Sequence, residues 1–179
     1  MKKIAVVTAV LFLAAVVVSA QMNMGGEKKA SPAEGAACKF SDGKTLKVDY
    51  SSPRGKGRKI YGGLVPYGQV WRTGADEATK FVSDISLTVG GKDVPAGNYT
   101  IFTVPNQGKW TLIVNKKTGE WGIPYKYEAD ELARVAMTAS KTSGPVENFT
   151  ISFDQKGSSC TMNLDWENTR ASVEIAEKK

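Results

Sequence analysis

The sequence predicts an all-β fold, an antiparallel β-sandwich of about eight strands with one long packed loop. Three observations indicate this fold. Apolar and polar residues alternate in many short runs, which is typical of strands with one face in a core and one face in water. Clusters of Gly, Asn, Asp and Pro separate these runs, and such clusters form turns. The runs recur at roughly ten-residue spacing, as the strands of sandwiches do.

Residues 1–20 have the layout of a secretory signal peptide. Lys2 and Lys3 precede an apolar run over residues 4–18, and small residues lead to a cleavage site after Ala20. The run is shorter than the about 20 residues of a comfortable membrane span, and no second run of that length follows. We therefore expect an exported protein, periplasmic or extracellular, with its leader cleaved after Ala20 and no transmembrane segment.

The rest of the chain divides into a linker, one domain and a short tail. Residues 21–37 contain no branched or aromatic apolar residue, so we expect a flexible linker there. Residues 38–176 are enough for one domain with a core and too few for two ordinary ones. Residues 177–179 are all charged and form the tail.

Within the domain, several runs show the alternation of a half-buried strand. They cover residues 46–50, 85–89, 110–114, 133–137, 149–153, 160–166 and 171–175. Residues 99–104 are apolar on both faces, which predicts a central strand. One helical turn is expected near residues 127–132.

Composition limits the chemistry that the chain can perform. It has no histidine, which excludes Ser-His-Asp and Cys-His relays and His-ligated metal centres. The formal net charge of +6 is a modest excess that suits an anionic partner. Export makes nucleic acid the least favoured of such partners. We therefore expect no nucleic-acid partner, no metal and no cofactor.

Cys38 and Cys160 are the only cysteines. Export permits a disulfide between them, and the sequence leaves open whether they pair. A bridge would close a loop of more than 100 residues, and the chain-entropy treatment of such a loop gives roughly 4–5 kcal/mol of stabilisation.

The alternation stops from Ser51 to Ala78, which we interpret as the long loop of the domain. Long loops in compact domains tend to be functional or disordered. This one carries enough apolar residues to pack against a core: Ile60, Tyr61, Leu64, Val65, Tyr67, Val70 and Trp71. We therefore expect an ordered loop.

Two interpretations of this loop stay open. In the first, it forms a binding site, because Arg recognises carboxylate or phosphate bidentately and aromatic rings offer flat faces to ligands. Its candidate residues are Arg58, Tyr67, Trp71, Arg72 and Glu77, together with Trp121, which lies at a turn elsewhere in the chain. In the second, the loop plugs one end of the sandwich, with Trp71 as a core anchor and Arg72 held by Asp76 or Glu77.

The same loop resembles the signature of a known family. Residues 57–68 read GRKIYGGLVPYG and residues 70–79 read VWRTGADEAT. Further stretches at residues 95–105, 110–116 and 121–122 match the same pattern, which is similar to that of an uncharacterised family of exported bacterial proteins, a domain of unknown function common in Bacteroidetes. The resemblance covers roughly residues 40–175. It implies a bacterial host and a β-rich domain, and it implies no reaction.

Three functions are compatible with these observations. The first is non-catalytic binding of a glycan or a small anionic ligand in the cell envelope, at the loop that carries Arg58, Trp71 and Arg72. The second is a polysaccharide hydrolase that uses carboxylates such as Asp76 and Glu77, which need about 5–10 Å between their carboxyl groups. The third is a structural partner protein of the envelope that acts through an exposed sheet edge. We expect the first.

Overall fold

A computed structural model describes residues 30–179, so the predicted signal peptide and most of the predicted linker lie outside the described residues. The described chain is built from strands and one short 3-10 turn, η1 (Glu128–Asp130), at the position where a helical turn was predicted. The strands are β1 (Ala33–Lys39), β2 (Thr45–Ser51), β3 (Ala75–Ser83), β4 (Leu87–Val89), β5 (Lys92–Val94), β6 (Gly97–Val104), β7 (Lys109–Asn115), β8 (Glu131–Lys156) and β9 (Ser159–Glu177). No helix within residues 30–179 is long and apolar enough to cross a membrane.

All nine strands belong to one antiparallel sheet in the order β1-β2-β3-β6-β7-β8-β9-β4-β5. The prediction of an all-β antiparallel fold is confirmed. The sheet folds over itself, because β1 and β5 approach β8 although they do not pair with it. The layers that enclose the core are therefore two parts of one hydrogen-bonded sheet, and the central position predicted for residues 99–104 is that of β6.

The long hairpin of β8 and β9 makes this folding possible. Its register shifts between the pairs Lys141–Thr169 and Thr150–Asp165, and a shift of this kind bends a strand and increases its twist. Each of these two strands was predicted as two separate runs. The alternation of apolar and polar residues is interrupted at the register shift, whereas each strand continues through it.

The main core lies between the layers and follows the predicted alternation. In β2, for example, Leu46, Val48 and Tyr50 are buried and the residues between them point outward. A second, smaller cluster lies on the other face of β3, β6 and β7. It consists of Ala78, Phe102 and Ile113, and Tyr125 and Tyr127 pack over it. The segment that carries these tyrosines, residues 116–130, thus covers the outer face of the sheet.

Three predicted boundaries differ from the structure. The long loop, predicted to run to Ala78, ends where β3 begins at Ala75. Strand β1 begins at Ala33, so the prediction of a linker is wrong for residues 33–37. These residues have a weak apolar pattern, and they are ordered because their backbone pairs with β2 from Ala33–Ser51 to Cys38–Leu46. At the other end, Glu177 is the last residue of β9 rather than part of a free tail.

Cys38 and Cys160 form a disulfide that connects β1 to β9. Both residues are buried in the main core. Their Cα atoms are 6.4 Å apart and 122 residues separate them in the sequence. The bridge therefore ties an edge strand to the long hairpin on the opposite layer.

We expect reduction of this disulfide to lower the free energy of unfolding by about 2–5 kcal/mol. The disulfide restricts the conformations of the unfolded chain, and its reduction raises the conformational entropy of that state. Urea unfolding with and without reductant measures the effect. The double variant Cys38→Ala/Cys160→Ala should show the loss without reductant and no further change with it. Equal midpoints for the oxidised and reduced protein would contradict the expectation.

Candidate functional site

The loop between β2 and β3, residues 52–74, is fastened to the sheet by Trp71. Its backbone forms an isolated bridge with Thr103 of β6, in which Trp71 N donates to Thr103 O at 2.8 Å and Thr103 N donates to Trp71 O at 2.9 Å. The indole ring stacks on Trp166 at a centroid distance of 5.9 Å and meets Phe149 edge-on at 4.9 Å. The loop is therefore packed, as predicted, and Trp71 is its core anchor.

The turn that follows Trp71 is held by buried threonines. Thr73 has φ 57°, a left-handed conformation that is unfavourable for a β-branched residue and costs about 1–3 kcal/mol. Its hydroxyl lies 3.1 Å from that of Thr103, and its carbonyl accepts a hydrogen bond from the Thr79 hydroxyl at 2.7 Å. These bonds fix the strained turn, and the turn sets the direction in which Arg72 leaves the loop.

A cleft of about 400 Å³ opens beside this turn. Its charged side chains are all basic: Arg54, Lys56, Arg58 and Arg72. Its apolar wall consists of Leu64, Val65, Trp71, Ile123 and Trp166, and Gly74 and Ala75 lie beside them. No acidic residue of the described chain lines the cleft. The structure thus brings together three of the predicted site residues, Arg58, Trp71 and Arg72.

Arg72 is half-buried and forms no ion pair with any carboxylate of residues 30–179. The expectation that Asp76 or Glu77 holds it is therefore wrong. Its guanidinium carbon lies 4.8 Å from the centroid of the Trp121 ring, and Nη1 donates to the Trp121 carbonyl at a long 3.5 Å. Burial lowers the pKa of Arg72, and the charge of Asp76 opposes that shift. Most of its N–H donors remain available for a ligand.

Two of the other cationic groups of the cleft, Arg58 and Arg54, are held by contacts within the loop. Arg58 donates from Nε to the Gly55 carbonyl at 3.0 Å and from Nη2 to the Arg54 carbonyl at 2.6 Å. Arg54 donates to the Ser52 hydroxyl at 3.0 Å and reaches Glu34 only at 4.0 Å. The guanidinium groups of Arg54 and Arg58 are therefore held in place before any ligand arrives, which lowers the entropic cost of binding one.

Trp121 reaches Arg72 because Gly122 allows the outer segment to approach the sheet closely. Gly122 has φ 90°, and a Cβ atom there would lie 2.8 Å from the Cβ of Ala78. Ala78 N also donates to the Glu120 carbonyl at 3.1 Å. The Trp121 ring, 55% exposed, consequently lies over the guanidinium at the edge of the basic cleft.

The remaining candidates lie apart from the cleft. Tyr67 faces a separate pocket of about 390 Å³ formed with the turn between β6 and β7 and with Tyr61. The Tyr61 hydroxyl is buried and has no hydrogen-bond partner among the described residues, and burial raises the pKa of Tyr61. Glu77 lines a depression of about 270 Å³ with Asp76 and Trp121.

Sequence reasoning missed two kinds of cleft residue. Arg54 and Lys56 belong to the same loop, and their basic character was the signal that could have found them. Ile123 carries no such signal, because only the folding of segment 116–130 over the sheet brings it to the cleft.

A polar network holds that segment in place. Asn115 donates through Nδ2 to the Tyr127 carbonyl at 2.8 Å and to the Tyr125 hydroxyl at 3.2 Å. The Tyr125 hydroxyl donates to Glu131 at 2.6 Å, and Arg134 donates to both carboxylate oxygens of Glu131 at 2.6 and 2.7 Å. The Arg134 bonds lower the pKa of Glu131 despite its partial burial.

The chain belongs to the family described as "Protein of unknown function (DUF2911)", whose sequence profile matches residues 31–175. The match covers nearly all of the chain that the structure describes and includes the cleft. No curated protein sequence and no solved structure matches the chain.

We expect Glu131 to make the protein sensitive to acid. Because its pKa in the folded protein lies below the ordinary value of 4.5, its contribution to stability is full above that value and is lost as the pH falls through the folded-state pKa. Urea unfolding at a series of pH values from neutral to acidic should therefore show a shallower decline for Glu131→Gln than for the wild type. Glu174→Gln, which removes an exposed carboxylate on β9, should decline as the wild type does. Parallel curves for all three proteins would refute the assignment.

Proposed function

We propose that this protein is a non-catalytic binding protein for a small anionic ligand, which it holds in the cleft of Arg54, Lys56, Arg58 and Arg72. The observation that carries the proposal is Arg72, a half-buried guanidinium without a carboxylate partner in the described chain. Burial of a charge is costly unless it is paired. A ligand carboxylate, phosphate or sulfate is the partner that this position requires.

The rest of the cleft suits the same ligand. Four cations and no lining carboxylate favour a positive potential in the cleft, which would concentrate anions and speed their encounter. Its volume of about 400 Å³ falls within the range of small-molecule sites. Guanidinium groups bind planar anions bidentately, and Trp71 provides an apolar wall for the rest of the ligand.

The site of action follows from the predicted leader. With residues 1–20 as a signal peptide, the mature protein works in the periplasm or outside the cell, and its ligand is an anion present there. The sequence predicts a glycan or a small anionic ligand, and an acidic glycan is both.

A neutral glycan at the Tyr67 pocket is the second candidate. The pocket has an exposed Tyr67 ring and is lined by Asn106, Gln107 and Asn168, whose amides both donate and accept hydrogen bonds.

The two other functions considered draw less support. A hydrolase would use the carboxylates around Glu77, which lines a depression of about 270 Å³ with Asp76 and another of about 500 Å³ with Glu34 and Asp49. Neither depression includes the arginines of the basic cleft. A structural partner would pair with an edge strand, and β1 offers its free side for that.

We expect Arg72→Gln to weaken binding of inorganic phosphate and sulfate at least about tenfold, because a charge-assisted hydrogen bond contributes about 1.5–3 kcal/mol. Calorimetric titration measures the loss, and anions should raise the thermal midpoint of the wild type. Higher ionic strength should weaken the binding.

The matched control is Lys47→Gln, which removes an exposed charge on β2 and should bind as the wild type does. Arg58→Gln serves as a second cleft variant if Arg72→Gln unfolds. The proposal fails if no anion binds the wild type, or if the cleft variants bind as Lys47→Gln does. Neutral oligosaccharide binding that survives Arg72→Gln and is lost in Tyr67→Ala would establish the second candidate instead.

A further inference from the structure

The basic cleft continues into a second cleft of about 480 Å³. The two share four lining residues: Leu64, Val65, Trp71 and Ile123. Beyond these, the second cleft is lined by Pro66, Gln69, Val70, Pro124, Tyr125 and Glu128. Together they form one groove between the loop 52–74 and the segment 116–130, with cations at one end, apolar side chains in the middle, and Gln69 and Glu128 among the residues of the other end.

The shared middle of this groove is apolar and open to solvent. Leu64 is 46% exposed and Ile123 is 43% exposed, and they are two of only four large apolar side chains that the described chain leaves exposed. Adjacent exposed apolar side chains in a concave surface indicate a binding site. Leu64 comes from the loop and Ile123 from the outer segment, so the two sides of the groove both offer apolar surface to an occupant.

We propose that the ligand of this groove is a single-chain amphiphile, a free small molecule with one anionic head and an alkyl body. This inference rests on the proposed function and specifies its ligand. The phosphate or carboxylate head pairs with Arg72 and Arg58, and the alkyl chain lies on Trp71 between Leu64 and Ile123. The charge of the cleft fixes the orientation of the ligand, since the far end carries the carboxylate of Glu128.

The polar groups of the groove favour an alkyl body over a sugar. None of the four shared residues has a polar side chain other than the Trp71 indole, whose N–H already donates to the Gly74 carbonyl at 3.0 Å. The Tyr125 hydroxyl is engaged by Glu131 and Asn115. Sugar hydroxyls laid along the four shared residues would lose their hydrogen bonds to water without replacement, which is unfavourable.

The test is a chain-length series with inorganic phosphate and butyl, hexyl and octyl phosphate, kept below their micelle concentrations and titrated calorimetrically into the mature protein. Each methylene that enters the groove should tighten binding about fourfold, which corresponds to about 0.8 kcal/mol per buried methylene. The matching fatty acids test the carboxylate head in the same way.

Three variants test where the alkyl chain of the ligand lies. Leu64→Ser and Ile123→Ser should bind inorganic phosphate as the wild type does and lose much of the dependence on chain length. The control variant Lys47→Ser removes an exposed side chain on β2, outside the groove, and should keep the full dependence. Because all three positions are exposed, thermal midpoints should change little.

Each outcome decides the question. The amphiphile proposal is overturned if affinity does not depend on alkyl chain length. It is also overturned if Leu64→Ser and Ile123→Ser show the same dependence as the wild type. In both cases the proposed anion site stands. Octyl phosphate binding that survives Arg72→Gln unchanged also overturns it, because the head would then make no contact with the cleft. Failure of inorganic phosphate and every alkyl phosphate to bind overturns the proposed function itself.

Discussion

The packing of Trp71 is the interaction on which the rest of the site depends. One residue joins a long loop to the sheet in two ways, through backbone hydrogen bonds to Thr103 and through ring contacts with Trp166 and Phe149. Aromatic contacts of this kind add about 0.5–1.5 kcal/mol to the burial of their area. The loop is also held at Gly55, whose N–H donates to the Glu147 carbonyl at 2.8 Å, and at Gly68, whose N–H donates to the Pro105 carbonyl at 2.9 Å. Trp71 fixes the part of the loop that carries Arg72. The fold thus uses a core residue to build a surface site.

The anchored loop contains a half-buried charge and a strained backbone residue, and neither is needed to pack the loop against the sheet. Arg72 loses hydration without gaining a carboxylate partner, and Thr73 adopts a left-handed backbone conformation that its side chain disfavours. Both features reduce stability, and such costs persist in proteins where the surrounding structure maintains them. Here the buried hydroxyls of Thr79 and Thr103 provide that support. Proteins commonly retain destabilising features at sites of function.

Much of the fold follows from local patterns, whereas the site depends partly on long-range contacts. Alternation identifies β2, β7 and most of β8 and β9, because each has one face in the core. The same pattern misses β1, whose residues are ordered by backbone pairing, and it also misses β3 and β5. It divides both β8 and β9 at a register shift. Arg58, Trp71 and Arg72 could be predicted as one site since a single loop carries them. Tyr67 is not part of that site because it faces the turn between β6 and β7. Ile123 is part of it only because the tertiary fold brings the segment 116–130 beside the loop.

Hydrogen exchange at the Trp71 and Thr103 amides tests most directly whether the loop is held as a rigid wall. Both amides are donors in the bridge between the loop and β6, so they should exchange as slowly as the amide of Leu112 in β7, which opens only when much of the sheet opens. A ligand should slow them further. If the Trp71 amide instead exchanges as fast as that of Gly108 in an exposed turn, the loop is not anchored and the cleft is not a preformed site.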